Sequence, residues 1–250
     1  MKKLLITLLF AAVSANVFAA GGAKLDDAPI DISDMDSLKR GAKGFSDYCF
    51  SCHSAFFMRY NRIAKDLDMD EAELRDTFIF TRDAKGVPTK VGELMHVAMT
   101  DEYAEKAFGT KVPDLSLTAR ARGADWLYTY LRSFYLDSYR PTGMNNTVFP
   151  DVGMPHVLSN LQGLQKAVYK TEEHDGIKTE HLERFELVQP GSMTTAEYDA
   201  FVADLVNFMV YIAEPVQNER RSLGWKVLLF LVVFFVLAYL LKKEYWKDVH

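Results

Sequence analysis

Two cysteines and a histidine fall within five consecutive positions, Cys49-Phe50-Ser51-Cys52-His53, and the chain has no further cysteine. Thiols separated by two residues lie on one helical turn, close enough to add to the two vinyl groups of a single haem as thioethers. The adjacent imidazole then lies over the porphyrin face, where it can take the fifth position on iron. Other chemistries share the spacing but not the surroundings. A zinc site wants two more Cys or His ligands at comparable spacing. A thioredoxin-like dithiol wants a βαβ context, which the flanking residues do not supply. A disulfide inside the motif would close a strained ring and leave His53 unexplained. The motif therefore predicts one covalent haem c held by Cys49 and Cys52, with His53 as an iron ligand.

Both termini are apolar, in different ways. Lys2 and Lys3 precede the short apolar run Leu4 to Val13, and Val17-Phe18-Ala19 offers small residues where a signal peptidase reads. Residues 1–20 are expected to be a cleaved export signal, since the run is too short to span a bilayer. From Val227 to Leu241 the chain has no charge, Gly or Pro, and Trp225, Tyr245 and Trp246 flank that run. Residues 224–241 therefore predict a transmembrane helix of the ~20 residues a bilayer needs. With everything upstream exported, the Lys-bearing tail 242–250 is expected in the cytoplasm, as the positive-inside rule requires.

The intervening segment 21–221 is long enough for one domain with its own core. The chain's net charge is −5, and its basic residues gather towards the ends. Asp26, Asp27, Asp31, Asp34 and Asp36 form an acidic run, which reads either as a surface for a basic protein partner or as a solvated, partly disordered leader. Nucleic acid is not a partner that such a surface suits.

Periodicity reads as helix with long connections. Ser37 is expected to cap a helix running through Leu38, Gly41, Phe45 and Tyr48 into the motif. Further helices are expected near Met69 to Phe80 and over Ala124 to Leu136, where Trp126, Tyr130 and Phe134 recur at helical spacing. Thr194-Thr195-Ala196-Glu197 is a capping-box pattern. It opens a helix whose apolar face (Tyr198, Val202, Leu205, Phe208, Ile212) runs to Glu214-Pro215. Gly and Pro mark Arg140 to Pro155 as loop. No segment reads as a strong alternating strand, so the fold class is all-α.

A haem iron with one His ligand needs a sixth ligand or leaves that position open. Among ten methionines, Met144 and Met154 lie in the Gly/Pro-rich loop downstream of the motif. Met154 is favoured because Gly153 and Pro155 fix the backbone on either side. His96 and His156 would give bis-His ligation instead, whereas a Met ligand would raise the reduction potential.

These residues carry a family resemblance. Ser37-Leu38-Lys39-Arg40-Gly41, Tyr48 through His53, Pro113-Asp114-Leu115-Ser116, Arg120-Ala121-Arg122, Gly153-Met154-Pro155 and Ala213-Glu214-Pro215 together resemble the cytochrome c1 family. That family is the haem-bearing subunit of the cytochrome bc1 complex, the quinol–cytochrome c oxidoreductase. The resemblance runs from about Ser37 to the carboxy terminus. CxxCH alone is shared by many c-type cytochromes; the ordered set with its closing span is far more specific.

The resemblance implies an enlarged mono-haem cytochrome c domain, with long loops, whose first and last helices cross, plus one carboxy-terminal transmembrane helix. It implies that Cys49 and Cys52 hold the haem, that His53 and Met154 ligate iron, that Arg120 pairs with a propionate and that Pro113 shapes the loop at the haem edge. The chain departs from the family in having Pro155-His156 where a more proline-rich run is expected. The implied role is an electron carrier within an oxidoreductase complex, not a catalyst alone. It would take single electrons from the Rieske iron–sulfur subunit, beside cytochrome b, and pass them to cytochrome c. The implied location is the bacterial inner membrane, with the haem domain in the periplasm. The alternatives are another anchored mono-haem carrier of an oxidase or denitrification chain, a haem enzyme or sensor with an open sixth position, and a tethered interaction domain without haem.

Overall fold

The structure is a computed structural model that describes residues 24–174 and 177–248. The expected export signal over residues 1–20 lies outside the described residues. The helix α1 (Met35–Tyr48) leads into the Cys49–His53 segment. Its amino-terminal cap is Asp34, whose carboxylate accepts from the Ser37 N–H. Ser37 is thus inside the helix rather than its cap, because a charged acceptor facing the exposed N–H groups outcompetes a hydroxyl.

After the motif come β1 (Ala55–Arg59), α2 (Tyr60–Asp66), α3 (Glu71–Phe78), β2 (Leu94–Met95) and α4 (Asp101–Phe108). The short helix α5 (Thr118–Arg122) and then α6 (Ala124–Arg132) follow. The helix expected to reach Leu136 ends four residues early, and Phe134–Leu136 forms β3 against β4 (Met144–Asn146). Tertiary contacts redirect the chain there: Asn146 Nδ2 donates to the Tyr130 carbonyl and Thr147 N–H to that of Ser133. Carbonyls that a longer helix would have used are taken by β4 and the residue after it.

Helix α7 (Ser159–Gln162) opens onto a long antiparallel hairpin, β5 (Gly163–His174) with β6 (Ile177–Pro190). The described structure is therefore helical with a strand component, and the all-α expectation is corrected at this hairpin. Register shifts at Leu164/Gln165 and Val168/Tyr169 interrupt its alternation, and most of its side chains face solvent, so neither arm shows a period-two apolar face. The available sequence signal was the Asp175-Gly176 dipeptide between the arms. The base of the hairpin is close-packed. Gly163 has φ +90°, and a Cβ there would stand 2.2 Å from the Gln189 carbonyl oxygen, so only glycine fits. Buried Gln165 ties the hairpin to α6 by donating to the Arg132 and Phe134 carbonyls.

The last core helix, α8 (Thr195–Ala213), carries the expected capping box between Thr194 and Glu197. It crosses α1, as anticipated. Gly41 is the close point, Arg40 bonds Asp204 through two nitrogens at 2.6 and 3.0 Å, and buried Asn207 donates to the Asp31 carbonyl and Ser37 Oγ. Phe45, Phe78 and Phe208 pack ring to ring beside the crossing. The acidic leader is placed rather than loose. Asp26 N–H donates to Thr129 Oγ1, Ala28 N–H to Asp125 Oδ1, and the Asp26 carboxylate pairs with Arg132 at 2.8 Å.

Two residues beyond Pro215 begins α9 (Gln217–Tyr245), with mean hydropathy 2.4 over its most apolar window. Not one of its side chains is buried against the rest of the chain. An apolar helix of this length with no protein to cover it fits a membrane anchor.

Candidate functional site

The end of α1 positions the motif. Cys49 is its carboxy-terminal cap, and its N–H and that of Phe50 both reach the Phe45 carbonyl. Phe50 is buried against Phe45, Tyr60 and Phe78, so a spacer residue of CxxCH anchors the segment in the core. The next turn is closed by Cys52 and His53 N–H donating to the Cys49 carbonyl. That turn puts both thiols and the imidazole on one short arc. The thiols are free. Burial pushes the Cys49 thiol up to about 12, Cys52 adding to the shift, whereas Cys52 is half-buried and borders a cavity of about 230 Å³ with Ser54 and Asp114.

His53 Nδ1 lies 2.8 Å from the Pro113 carbonyl oxygen. A carbonyl can only accept, so Nδ1 carries the proton and Nε2 keeps its lone pair, the tautomer that an iron ligand needs. Burial holds the imidazole below its ordinary value, against opposing pulls from Pro113 and Asp114, so the neutral ligand form is favoured. The Pro113–Ser116 segment is built to hold that carbonyl. Asp114 Oδ2 accepts from Phe56 N–H, Ser116 Oγ from Phe57 N–H, and Leu115 N–H reaches the Ser54 carbonyl. Three residues, Asp114, Leu115 and Ser116, thereby stitch the loop onto the Ser54–Phe57 segment that leaves the motif.

Met154 is half-buried against the core cluster, and its Sδ accepts from the Tyr130 hydroxyl at 3.3 Å. Its loop runs against the segment that precedes Pro113: a Cβ on Gly153 would lie 3.0 Å from Thr110 Cγ2. Met144 sits elsewhere, buried in β4 opposite Leu136, as core rather than loop. His96 Nδ1 lies 3.1 Å from the Leu94 carbonyl. His156 is buried, stacked on Phe134 at 4.8 Å with rings 1° apart, and burial lowers it to about 4.

Arg120 is exposed at the end of α5, with its guanidinium 3.9 Å from Glu214. Glu214 is itself clasped by Arg220, which holds its carboxyl below the usual range. Arg122 differs. It lies over Trp126 at 5.0 Å and Phe149 at 5.8 Å, and no carboxylate pairs with it among the described residues. The sequence singles out neither residue's role: Arg122 stands beside Arg120 with nothing in its residue type to separate the two, and Tyr130 falls in a helical run. The donor set fits a c-type haem: two free thiols, a neutral imidazole with its Nε2 lone pair available and a thioether on a fixed loop.

A model described as the Cytochrome C1 family matches residues 26–249. The chain is 51% identical to cytochrome c1 of Allochromatium vinosum over 100% of both chains. It is 50% identical to a Nitrosomonas europaea protein named ammonia monooxygenase gamma subunit, over 100% of this chain and 99% of that one. Identity to cytochrome c1 of Cereibacter sphaeroides is 24%, over 92% of this chain and 90% of that protein.

Proposed function

Because the chain belongs to the cytochrome c1 family, we propose that it is the electron-transfer subunit of a cytochrome bc1 complex, with one haem c on Cys49 and Cys52 and axial ligands His53 and Met154. When bound, a haem c supplies a one-electron ferric–ferrous couple whose potential the protein sets. The observation that carries the reading is the His53–Pro113 hydrogen bond, which fixes the imidazole in the ligating tautomer. Pro113 thus orients the proximal ligand through its carbonyl, in addition to shaping the loop. Met154 offers a thioether on a loop packed against residue 110, so a second donor would be at hand for the iron that His53 holds, which suits an electron carrier rather than an open oxygen site.

Arg120, as the resemblance implies, and Arg122, which has no carboxylate partner among the described residues, are the cations for the propionates. The partners are cytochrome b, the Rieske iron–sulfur subunit as electron donor and cytochrome c as acceptor. The haem domain, residues 21–221, occupies the periplasm of a bacterial cell, with 224–241 in the inner membrane and 242–250 in the cytoplasm. Exposed carboxylates along the Asp26–Asp36 segment suit a basic acceptor. The relative named as an oxygenase subunit supplies a second reading for the family branch, but no geometry here favours it.

The test is ligation. Haem should stay on the polypeptide through a denaturing gel, and Cys49→Ser with Cys52→Ser should abolish the stain. Met154→Leu should lower the potential and admit carbon monoxide, while Met144→Leu should change neither. Extractable haem in the parent protein would overturn the attachment. Carbon monoxide binding by the parent protein would favour the open-site reading.

A further inference from the structure

The geometry points to Tyr130 as a positioning residue for the distal ligand: its hydroxyl occupies one lone pair of Met154 Sδ and so selects which lone pair faces the iron. This rests on Met154 being that ligand. A thioether sulfur carries two lone pairs and two different carbon substituents. Coordination through one pair or the other gives opposite configurations at sulfur, and a free methionine side chain can present either.

Here the choice is made by a rigid donor. Tyr130 Oη lies 3.3 Å from Sδ, and the sulfur is its sole hydrogen-bond partner among the described residues. The phenol ring is buried, stacked on Trp126 at 4.9 Å and 9°, and met edge-on by Phe134 at 5.2 Å. Its backbone is pinned as well, since Asn146 Nδ2 donates to the Tyr130 carbonyl at 2.8 Å. A donor already immobilised by packing loses little entropy in making the bond, so the contact persists.

The bond also acts electronically. Donation to sulfur withdraws density from the thioether and makes it a weaker donor to ferric iron, which favours the ferrous state and raises the potential. The residues Trp126, Tyr130 and Phe134, which recur in the sequence at helical spacing, thus bring a polar tip with a defined target.

The experiment uses the purified, haem-loaded full-length protein and compares Tyr130→Phe, Tyr198→Phe and Met154→Leu with the parent. Tyr130→Phe keeps the ring and removes only the donor. It should lower the equilibrium constant for reduction roughly threefold to tenfold, the scale of one hydrogen bond. It should also split the hyperfine-shifted haem-methyl resonances, which report the sulfur configuration, into two sets. Tyr198 is another buried tyrosine, whose hydroxyl donates to the Leu131 carbonyl at 2.8 Å. Tyr198→Phe should leave the potential and the methyl pattern unchanged. If Tyr198→Phe moves them as far as Tyr130→Phe does, the effect is general loosening and the proposal falls. If Met154→Leu abolishes the sulfur-to-iron charge-transfer absorbance while Tyr130→Phe behaves as the parent, Tyr130 alone is overturned. If Met154→Leu retains that absorbance, the ligand assignment fails and Tyr130 falls with it.

Discussion

Gly41 on α1 lies so close to Asp204 on α8 that a Cβ at residue 41 would stand 2.0 Å from the Asp204 carbonyl oxygen. The neighbour is helix backbone, which cannot step aside without breaking the α8 ladder. At Gly44 the same addition meets the tip of the Phe201 ring at 3.0 Å, and a ring can shift. Gly41→Ala is therefore expected to prevent accumulation of the haem-loaded protein, because it exceeds the usual overpacking cost of about 1–3 kcal/mol. Gly44→Ala should cost no more than about 1 kcal/mol. Thermal melts and haem-stain yield of the two variants check the order.

The Arg132 guanidinium joins three segments. It bonds both oxygens of Asp199 on α8 at 2.6 and 3.2 Å, takes the leader's Asp26 at 2.8 Å, and lies 4.4 Å over the Tyr128 ring. The two carboxylates should not matter equally. Asp199 is 30% exposed and bidentate, whereas Asp26 is 53% exposed with a single contact. Asp199→Ala should destabilise by about 1–3 kcal/mol and Asp26→Ala by less than about 1 kcal/mol. Raising salt should shrink only the smaller effect, which melts at low and high ionic strength would resolve.

The helix α8 was legible because it carries its own local signals: a capping box at Thr194, apolar recurrence from Tyr198 to Ile212, a Glu-Pro stop. The site was legible at Cys49, Cys52 and His53 because covalent attachment demands a fixed local spacing. What escaped has a common cause, dependence on partners distant in sequence. The role of the Pro113 carbonyl is a backbone property, invisible in residue type. The Tyr130–Met154 contact joins residues 24 apart that share no pattern. The β5–β6 hairpin lacks alternation because its faces are largely solvated and its register shifts twice.

Arg120 and Arg122 make a separable pair. Arg120 stands near the Glu214–Arg220 couple, so part of its field is cancelled, while Arg122 rests over two neighbouring aromatic rings with no carboxylate partner among the described residues. A cation near haem propionates favours the less positive ferrous state. Arg122→Gln is therefore expected to lower the reduction potential more than Arg120→Gln. Glu214→Gln, which frees Arg120 from its nearby carboxylate, should raise the potential slightly. Spectroelectrochemical titration of the three variants decides the order, and a larger fall for Arg120→Gln would make that residue the dominant cation at the propionates.

The helix α9 contributes no buried side chain to the rest of the chain, and every proposed haem contact lies upstream of it. A chain stopped before Gly224 keeps the Glu214–Arg220 pair and removes none of the core. It should therefore mature in the periplasm as a soluble, haem-loaded, redox-active domain with the parent's potential. What it should lose is its place: an anchor confines the domain beside its membrane partners and raises their effective concentration without new contacts. The chemically reduced fragment is expected to reduce a basic cytochrome c at a rate that falls with ionic strength, yet fail to support quinol-driven turnover in membranes lacking the full-length chain. Assaying both reactions on the same preparation separates a folding defect, which would abolish both, from loss of assembly, which abolishes only the second. Full quinol-driven turnover by the fragment would show that the domain docks by its own surface and that α9 is dispensable.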